Sequence, residues 1–242
     1  MTRIFLSLSL PLLLIGCTPA EKLPTYPWTD ARGALHVLAE RARSVHTASA
    51  ECALTLTRPD GESVRLDGAL VMKPPGSVRL RAWKFNQAVF DLTLTPDGLW
   101  VLTPDDPERR DKILPASVNA GKMARAWALF SGEFFASADL IVHDTGGARF
   151  QVERTIDGQR VVCEVERATL TPRRYTMLDS AGAPRFTLTA ERYEEISGIV
   201  WPVRLNAVSD SGRILIELHD VELNGELAPG AFTAPKRAQR VP

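Results

Sequence analysis

The sequence is poor in cysteine and has no excess of charge of either sign. Three cysteines in 242 residues are too few for a disulfide-framed mini-protein or a four-cysteine zinc site. Lysine and arginine together number 29, as do aspartate and glutamate. Without a basic surplus nothing favours general nucleic-acid binding, and without an acidic surplus the chain does not resemble a solvated, disordered one. An apolar content of 45% is typical of a globular domain.

The common catalytic and phosphate-binding motifs are also missing. The chain contains no Gly-x-Ser-x-Gly, Walker loop, His-Glu-x-x-His or Gly-x-Gly-x-x-Gly. Its four histidines are scattered, Asp105 and Asp106 fall in a charged loop, and Glu194 and Glu195 would point to opposite faces of a strand. We therefore expect no catalytic residue, no metal site and no cofactor, and a hydrolase is the least favoured function.

No apolar run is long enough to cross a bilayer. The longest, Ile4 to Ile15, would span about 18 Å as a helix, against a hydrocarbon core of about 30 Å. It follows Arg3 and ends in Leu-Ile-Gly-Cys at residues 14–17, which resembles a bacterial lipobox. The alternative is an ordinary signal peptide followed by a chance cysteine.

The lipobox implies a protein anchored in a bacterial envelope. Residues 1–16 would be the signal peptide, and Cys17 would carry acyl chains inserted into membrane lipid. Thr18, where an aspartate would resemble an inner-membrane retention signal, resembles the default for outer-membrane delivery. We therefore expect an outer-membrane protein that faces the periplasm, with residues 17–29 as a proline-bearing extended tether.

The rest of the chain predicts a mainly β fold with a few helices. Apolar and polar residues alternate through most of residues 48–223, with turn residues between the runs. Helical spacing marks 30–46, capped by Thr29 or Asp30, and 118–131, capped by Ser117. About eleven antiparallel strands would curl into a half-open β-barrel, with two or three helices covering its concave face. Residues 236–242 would form a loose tail.

This arrangement, together with particular stretches of sequence, resembles the LolA/LolB-like lipoprotein-carrier fold over residues 30–235. The resemblance rests on the proline-turn hairpin LDGALVMKPPGSVRL at 66–80 and the closing turn LAPGAF at 227–232. It implies a hydrophobic cavity that binds acyl chains or lipoproteins and a role in lipoprotein localisation or transfer. The alternative is a structural or protein-interaction lipoprotein with a closed core.

The apolar inner face supplies the candidate ligand-binding residues. They are Leu54, Leu66, Leu80, Phe90, Trp127, Phe130, Phe186 and Trp201. Phe85, at a hairpin tip, resembles in position the exposed apolar loop residue of the family's membrane-anchored member, although it could equally pack against Trp83. Cys52 and Cys163 lie on apolar faces and could pair as a disulfide or remain as buried free thiols.

Overall fold

The computed structural model describes residues 22–103 and 119–241. The signal peptide, Cys17 and the expected Ser117 cap lie outside the described residues, as do Asp105 and Asp106. The expectations that concern them therefore remain predictions.

Within the described residues, thirteen strands form one antiparallel sheet. In chain order the strands β1 to β13 are Ala48–Thr57, Ser63–Lys73, Ser77–Lys84, Gln87–Thr95, Gly98–Leu102, Ile141–His143, Arg149–Ile156, Gln159–Glu166, Thr171–Leu178, Pro184–Ile196, Ile199–Ser209, Gly212–Leu223 and Gln239–Val241. Their order in space is β13-β5-β4-β3-β2-β1-β12-β11-β10-β9-β8-β7-β6. The sheet is open, because β13 and β6 form its two edges.

The pairing of β1 with β12 joins the two halves of the sheet. Leu54 of β1 lies opposite Leu66 of β2 on one side and Ile216 of β12 on the other. Since side chains alternate between faces, this register puts the apolar residues of all three strands on the same face. The apolar faces predicted from the alternation are confirmed, since they form one continuous core.

In the part of the chain that the structure describes, two α-helices and a short 3₁₀ helix accompany the sheet. Helix α1 spans Ala31–Ser44, α2 spans Ala120–Phe130, and the 3₁₀ helix spans Glu133–Ala136. The Asp30 side chain caps α1 by accepting a hydrogen bond from the Gly33 N–H. Asp30 is one of the two caps that the sequence predicts. Helix α2 begins two residues later than expected, with Asn119 as its cap. It is followed by Gly132, whose φ of 80° is a left-handed conformation that favours glycine.

Both chain ends of the domain are more ordered than the sequence indicates. In the expected tether, the Tyr26 N–H donates to the Ala168 carbonyl, and Trp28 packs edge-on against Phe150 with ring centres 5.0 Å apart. In the expected loose tail, Gln239–Val241 pairs with β5. Burying an aromatic ring or an exposed strand edge offsets the entropy of ordering these segments.

The sheet has more strands than the expected eleven, in part because the C-terminal residues pair with β5. Strand β13 exists only because Gln239 meets Val101 across 138 positions of sequence. Strand β6, at the opposite edge, has only three residues. Residues 239–241 have no long alternating pattern that would have predicted β13, whereas β6 lies where the sequence predicts a strand, at about 139–143.

Candidate functional site

The sheet curves around a cavity of about 500 Å³. The cavity is lined by Val101 of β5 and also by Met177 of β9, which lie eight strands apart in the sheet. In a flat sheet, eight strand spacings would separate them by roughly 38 Å. The sheet must therefore curl for both side chains to face one cavity, as a half-open barrel requires.

Four of the eight predicted ligand-binding residues line this cavity. They are Leu54, Leu80, Phe90 and Phe186. The apolar wall continues through side chains that the sequence did not single out: Leu56, Leu92, Val101, Met123, Met177, Ala207 and Ile214. A mostly apolar lining and a volume within about 300–1,000 Å³ are typical of small-molecule sites.

The other four predicted residues lie elsewhere. Phe130 and Trp201 pack edge-on with ring centres 5.2 Å apart beside a separate hollow of only about 50 Å³, next to α1. Leu66, 2% exposed, and Trp127 are buried in the core and are absent from the walls of both hollows. Aromatic packing thus fills the α1 end of the concave face, which leaves the larger cavity at the other end.

Helix α2 covers the large cavity, but not through Trp127 and Phe130 as expected. Lys122, Met123, Arg125 and Ala126 line it, a spacing that places them on one side of a helix. Trp127 instead lies against Phe130, with ring centres 5.5 Å apart. The sequence shows that α2 is amphipathic, but its rotation about its own axis depends on how Phe130 packs against Trp201.

The mouth of the cavity lies where several hairpins turn. Arg58 follows β1, and Arg185 and Arg213 are the second residues of β10 and β12. All three are among the residues that line the cavity. The register places Thr57 opposite Arg213, and Arg213 opposite Val208, so these strand ends lie at the same end of the sheet. Sequence reasoning missed this cluster, because its members are distant in sequence and only the curl of the sheet brings them to one end.

Phe85 lies at the tip of the β3–β4 hairpin and is 86% exposed. Its φ of 51° lies in the left-handed region, which is unusual for a bulky residue. The hairpin lies at the same end of the sheet as the cavity mouth, because β3 runs antiparallel to β2 and ends toward the start of β2, which pairs with Thr57. The alternative of a side chain packed against Trp83 does not agree with this exposure.

The two described cysteines are free and buried, so the Cys52–Cys163 disulfide is not formed. Burial raises the pKa of the Cys52 thiol to about 12, with a smaller contribution from Glu51. Burial also raises the pKa of Cys163 well above its usual value, partly opposed by a hydrogen bond with Tyr175. Because the thiolate is the reactive form, both side chains behave as small core hydrophobes.

In residues 22–103 and 119–241 no group of three or more His, Cys, Asp or Glu side chains is arranged to hold a metal ion. The helices in this part of the chain are all too short or too polar to span a membrane.

The chain was compared with known families, curated proteins and solved structures. Neither a protein-family model nor a curated protein matches it. A DUF1329 family protein from Desulfovibrio piger matches with a TM-score of 0.59 and 15% identity, covering 84% of this chain and 98% of that one. A LolA superfamily protein from Nitrosomonas europaea matches with a TM-score of 0.55 and 16% identity, covering 82% and 97%.

A third structure is a putative outer-membrane lipoprotein-sorting protein domain from Vibrio parahaemolyticus. It has a TM-score of 0.54 and 14% identity, covering 84% of this chain and 97% of that one. At such identities the likeness establishes the architecture, and function has to be argued from the site. The described chain adopts the LolA/LolB-like fold.

Proposed function

We propose that this protein is a cell-envelope lipoprotein whose cavity binds acyl chains non-covalently, either of lipids or of lipoproteins in transit. The observation that carries the proposal is the apolar cavity of about 500 Å³ between the curved sheet and α2. A LolA superfamily protein and a lipoprotein-sorting domain share the fold, which supports the same class of ligand.

Binding in such a cavity needs no chemical step. Moving a methylene group from water to an apolar wall is favourable by about 0.8 kcal/mol. A chain that leaves one apolar environment for another changes its free energy only by the difference between the two. The protein would therefore act as a carrier, with no catalytic residue and no cofactor, and the direction of transfer would depend on the donor and the acceptor.

The proposed location follows from the N-terminal sequence. Acylated Cys17 would hold the protein in a membrane, and Thr18 favours the outer membrane, facing the periplasm. In this orientation the exposed Phe85, at the same end of the sheet as the cavity mouth, would contact a membrane or a partner as acyl chains pass. Two or more acyl chains on Cys17 would make the anchor stable.

A cavity-filling substitution tests acyl binding. Ala207 lines the cavity, whereas the next residue, Val208, is 43% exposed on the outer face. Ala207→Trp should displace at least two methylenes of a bound chain, which costs about 1.6 kcal/mol and weakens binding more than about tenfold. Val208→Trp is the matched control and should bind normally.

The measurement is a titration of a chain beginning at residue 18 with a fluorescent fatty-acid probe. Loss of binding in Ala207→Trp alone supports the proposal. If neither the wild-type chain nor the control binds the probe, the protein has no acyl site, and the closed, structural alternative is correct.

Transfer of lipoproteins requires a separate test in cells. In a strain depleted of this protein, outer-membrane lipoproteins should accumulate in the inner membrane or periplasm. Their normal distribution after depletion would restrict the function to acyl binding without lipoprotein transfer.

A further inference from the structure

The N-terminal segment is fixed to the sheet at one defined place. The Tyr26 N–H donates to the carbonyl of Ala168, in the turn between β8 and β9, at 2.9 Å. Two residues later, the Trp28 ring lies 5.0 Å from the Phe150 ring and 4.0 Å from the guanidinium carbon of Arg167, between ring centres and from ring centre to carbon respectively. Aromatic and cation–π contacts of this kind hold a segment against a surface. The chain therefore enters the domain beside the β8–β9 turn.

The β8–β9 turn lies at the α1 end of the concave face. Helix α1 reaches it directly, because Nη1 of Arg41 donates to the Leu170 carbonyl at 2.7 Å. The opposite ends of β8 and β9 belong to the mouth: Leu178, the last residue of β9, lies opposite Arg160 near the start of β8 and also opposite Pro184, the first residue of β10. The N-terminal segment and the cavity mouth are thus at opposite ends of the sheet.

The distance between these two ends is at least the length of a strand. Strand β9 has 8 residues, which cover about 26 Å at about 3.3 Å each. The turns at both ends of the strand add to this distance. Phe85, on its exposed hairpin tip at the mouth end, is as far from the β8–β9 turn along the strands.

The reach of the N-terminal segment is short by comparison. The expected anchor, Cys17, precedes Tyr26 by nine positions. Nine residues span at most about 32 Å, and a flexible chain of that length averages roughly 17 Å from end to end. The α1 end can lie beside a bilayer that holds Cys17 without any stretching of this segment. For the mouth to meet the same bilayer, nearly all nine residues would have to run straight along the strands, which is the arrangement with the least conformational freedom.

We propose that the α1 end of the domain is the surface that faces the anchoring bilayer, which holds the acyl chains of Cys17, and that the cavity mouth and Phe85 project away from it. This inference rests on the proposed function, since it requires that Cys17 be acylated. It adds a direction: acyl chains enter and leave through a mouth that opens toward the aqueous compartment. Exchange with the anchoring bilayer itself would require the domain to turn over.

Short-range fluorescence quenching measures which end of the domain lies near the bilayer. The full chain is purified from bacterial membranes, acylation of Cys17 is checked by mass spectrometry, and the protein is placed in phosphatidylcholine nanodiscs. A fraction of the lipids carries a nitroxide on the head group, which quenches only dyes that come close to it. The dye is attached through one introduced cysteine, because Cys52 and Cys163 are buried.

Four variants place the dye at the two ends. Thr145→Cys and Ser197→Cys label the α1 end, and Phe85→Cys and Ala181→Cys label the mouth end; all four residues are exposed and lie between strands. Ala181→Cys is the matched control for Phe85→Cys, because it labels the same end and leaves Phe85 in place. Each quenching value is divided by the value for the same variant with a water-soluble nitroxide, which corrects for differences in dye exposure.

A second set of variants tests whether the length of the segment sets the orientation. The four labels are repeated in a chain in which a flexible Gly-Ser insertion after Thr18 doubles the number of residues between Cys17 and Tyr26. The doubled segment can reach past the length of the strands, so both ends of the domain can then approach the bilayer.

Dyes at Thr145 and Ser197 should be quenched severalfold more than dyes at Phe85 and Ala181, and the insertion should reduce this difference. Equal quenching at both ends, or stronger quenching at the mouth, in the acylated protein would overturn the orientation and leave acyl binding, measured with Ala207→Trp, intact. An unchanged difference after the insertion would overturn the role of the short segment. If Cys17 carries no acyl chain, the membrane anchor of the proposed function fails, and the orientation fails with it.

Discussion

Phe134 offers a direct test of how the α1 end of the concave face is closed. It belongs to the 3₁₀ helix, is 1% exposed, and packs edge-on against Phe135 and Tyr175 with ring centres 5.0 and 5.5 Å apart. Phe85 is the same residue type on an exposed hairpin tip. The two Phe→Ala substitutions therefore remove the same atoms from opposite environments.

The expected effects differ severalfold. Replacing a buried phenylalanine by alanine costs about 3–5 kcal/mol, because the removed ring leaves a cavity that the surroundings fill only in part. Two edge-on ring contacts place Phe134→Ala near the middle of that range, at about 4 kcal/mol. In a domain of this size, that lowers Tm by roughly 8–16 °C. Phe85→Ala should change stability by less than about 0.5 kcal/mol.

Urea denaturation followed by tryptophan fluorescence measures both free energies of unfolding. The slope with urea should be the same in the two variants, so that the midpoints report stability alone. A Phe134→Ala midpoint equal to that of Phe85→Ala would refute the packing described here. It would show that the 3₁₀ helix is not part of the cooperative core.

Three further predictions concern the sheet and its cysteines. Gly68→Ala should destabilise the fold by about 1–3 kcal/mol, because a Cβ there would lie 2.7 Å from the Arg81 carbonyl oxygen, as urea unfolding would show. Cys52 and Cys163 should not react with a thiol reagent at pH 8 in the native protein, and both should react after unfolding, as counted by absorbance. Since burial raises both pKa values, stability should fall as the pH rises from about 8.5, the unfolded value, toward 12. Deleting residues 237–242 should remove β13 and cost about 1–3 kcal/mol in lost main-chain hydrogen bonds, measured by thermal unfolding.

Each of these predictions has a control. Gly121→Ala should be neutral or stabilising, since its Cβ would have no neighbour closer than 3.6 Å and alanine favours helices; a loss equal to that of Gly68→Ala would contradict the steric argument. If neither thiol reacts in non-reducing urea, the cysteines are disulfide-bonded. Deletion of residue 242 alone should have no effect, and full stability without 237–242 would show that β13 does not support β5.

The alternation of apolar and polar residues predicted correctly which side chains face inward. Leu54, Leu66, Leu80 and Phe90 all lie on the concave side with their partners in register. Side-chain direction in a strand follows from sequence position alone, because successive residues point to opposite faces. The antiparallel order follows from short turns between consecutive strands.

The alternation could not separate the cavity wall from the solid core. Leu54 and Leu66 are direct neighbours across two strands, yet only Leu54 lines the cavity. On α2, Met123 lines it and Trp127 does not. Both distinctions depend on sheet curvature and helix rotation, which are set by contacts such as Phe130 on Trp201 between residues 71 positions apart.

The sequence by itself therefore determined the inward face, the antiparallel strands and the two helices, because each depends on neighbours within one element or one hairpin. The tertiary structure alone decided where the cavity lies, which residues meet at its mouth, and that the C-terminal residues form a strand. Arg58, Arg125 and Arg213 are distant in sequence, and only the curl of the sheet brings them to one mouth. Long-range packing makes that choice, and no local pattern of residue types encodes it.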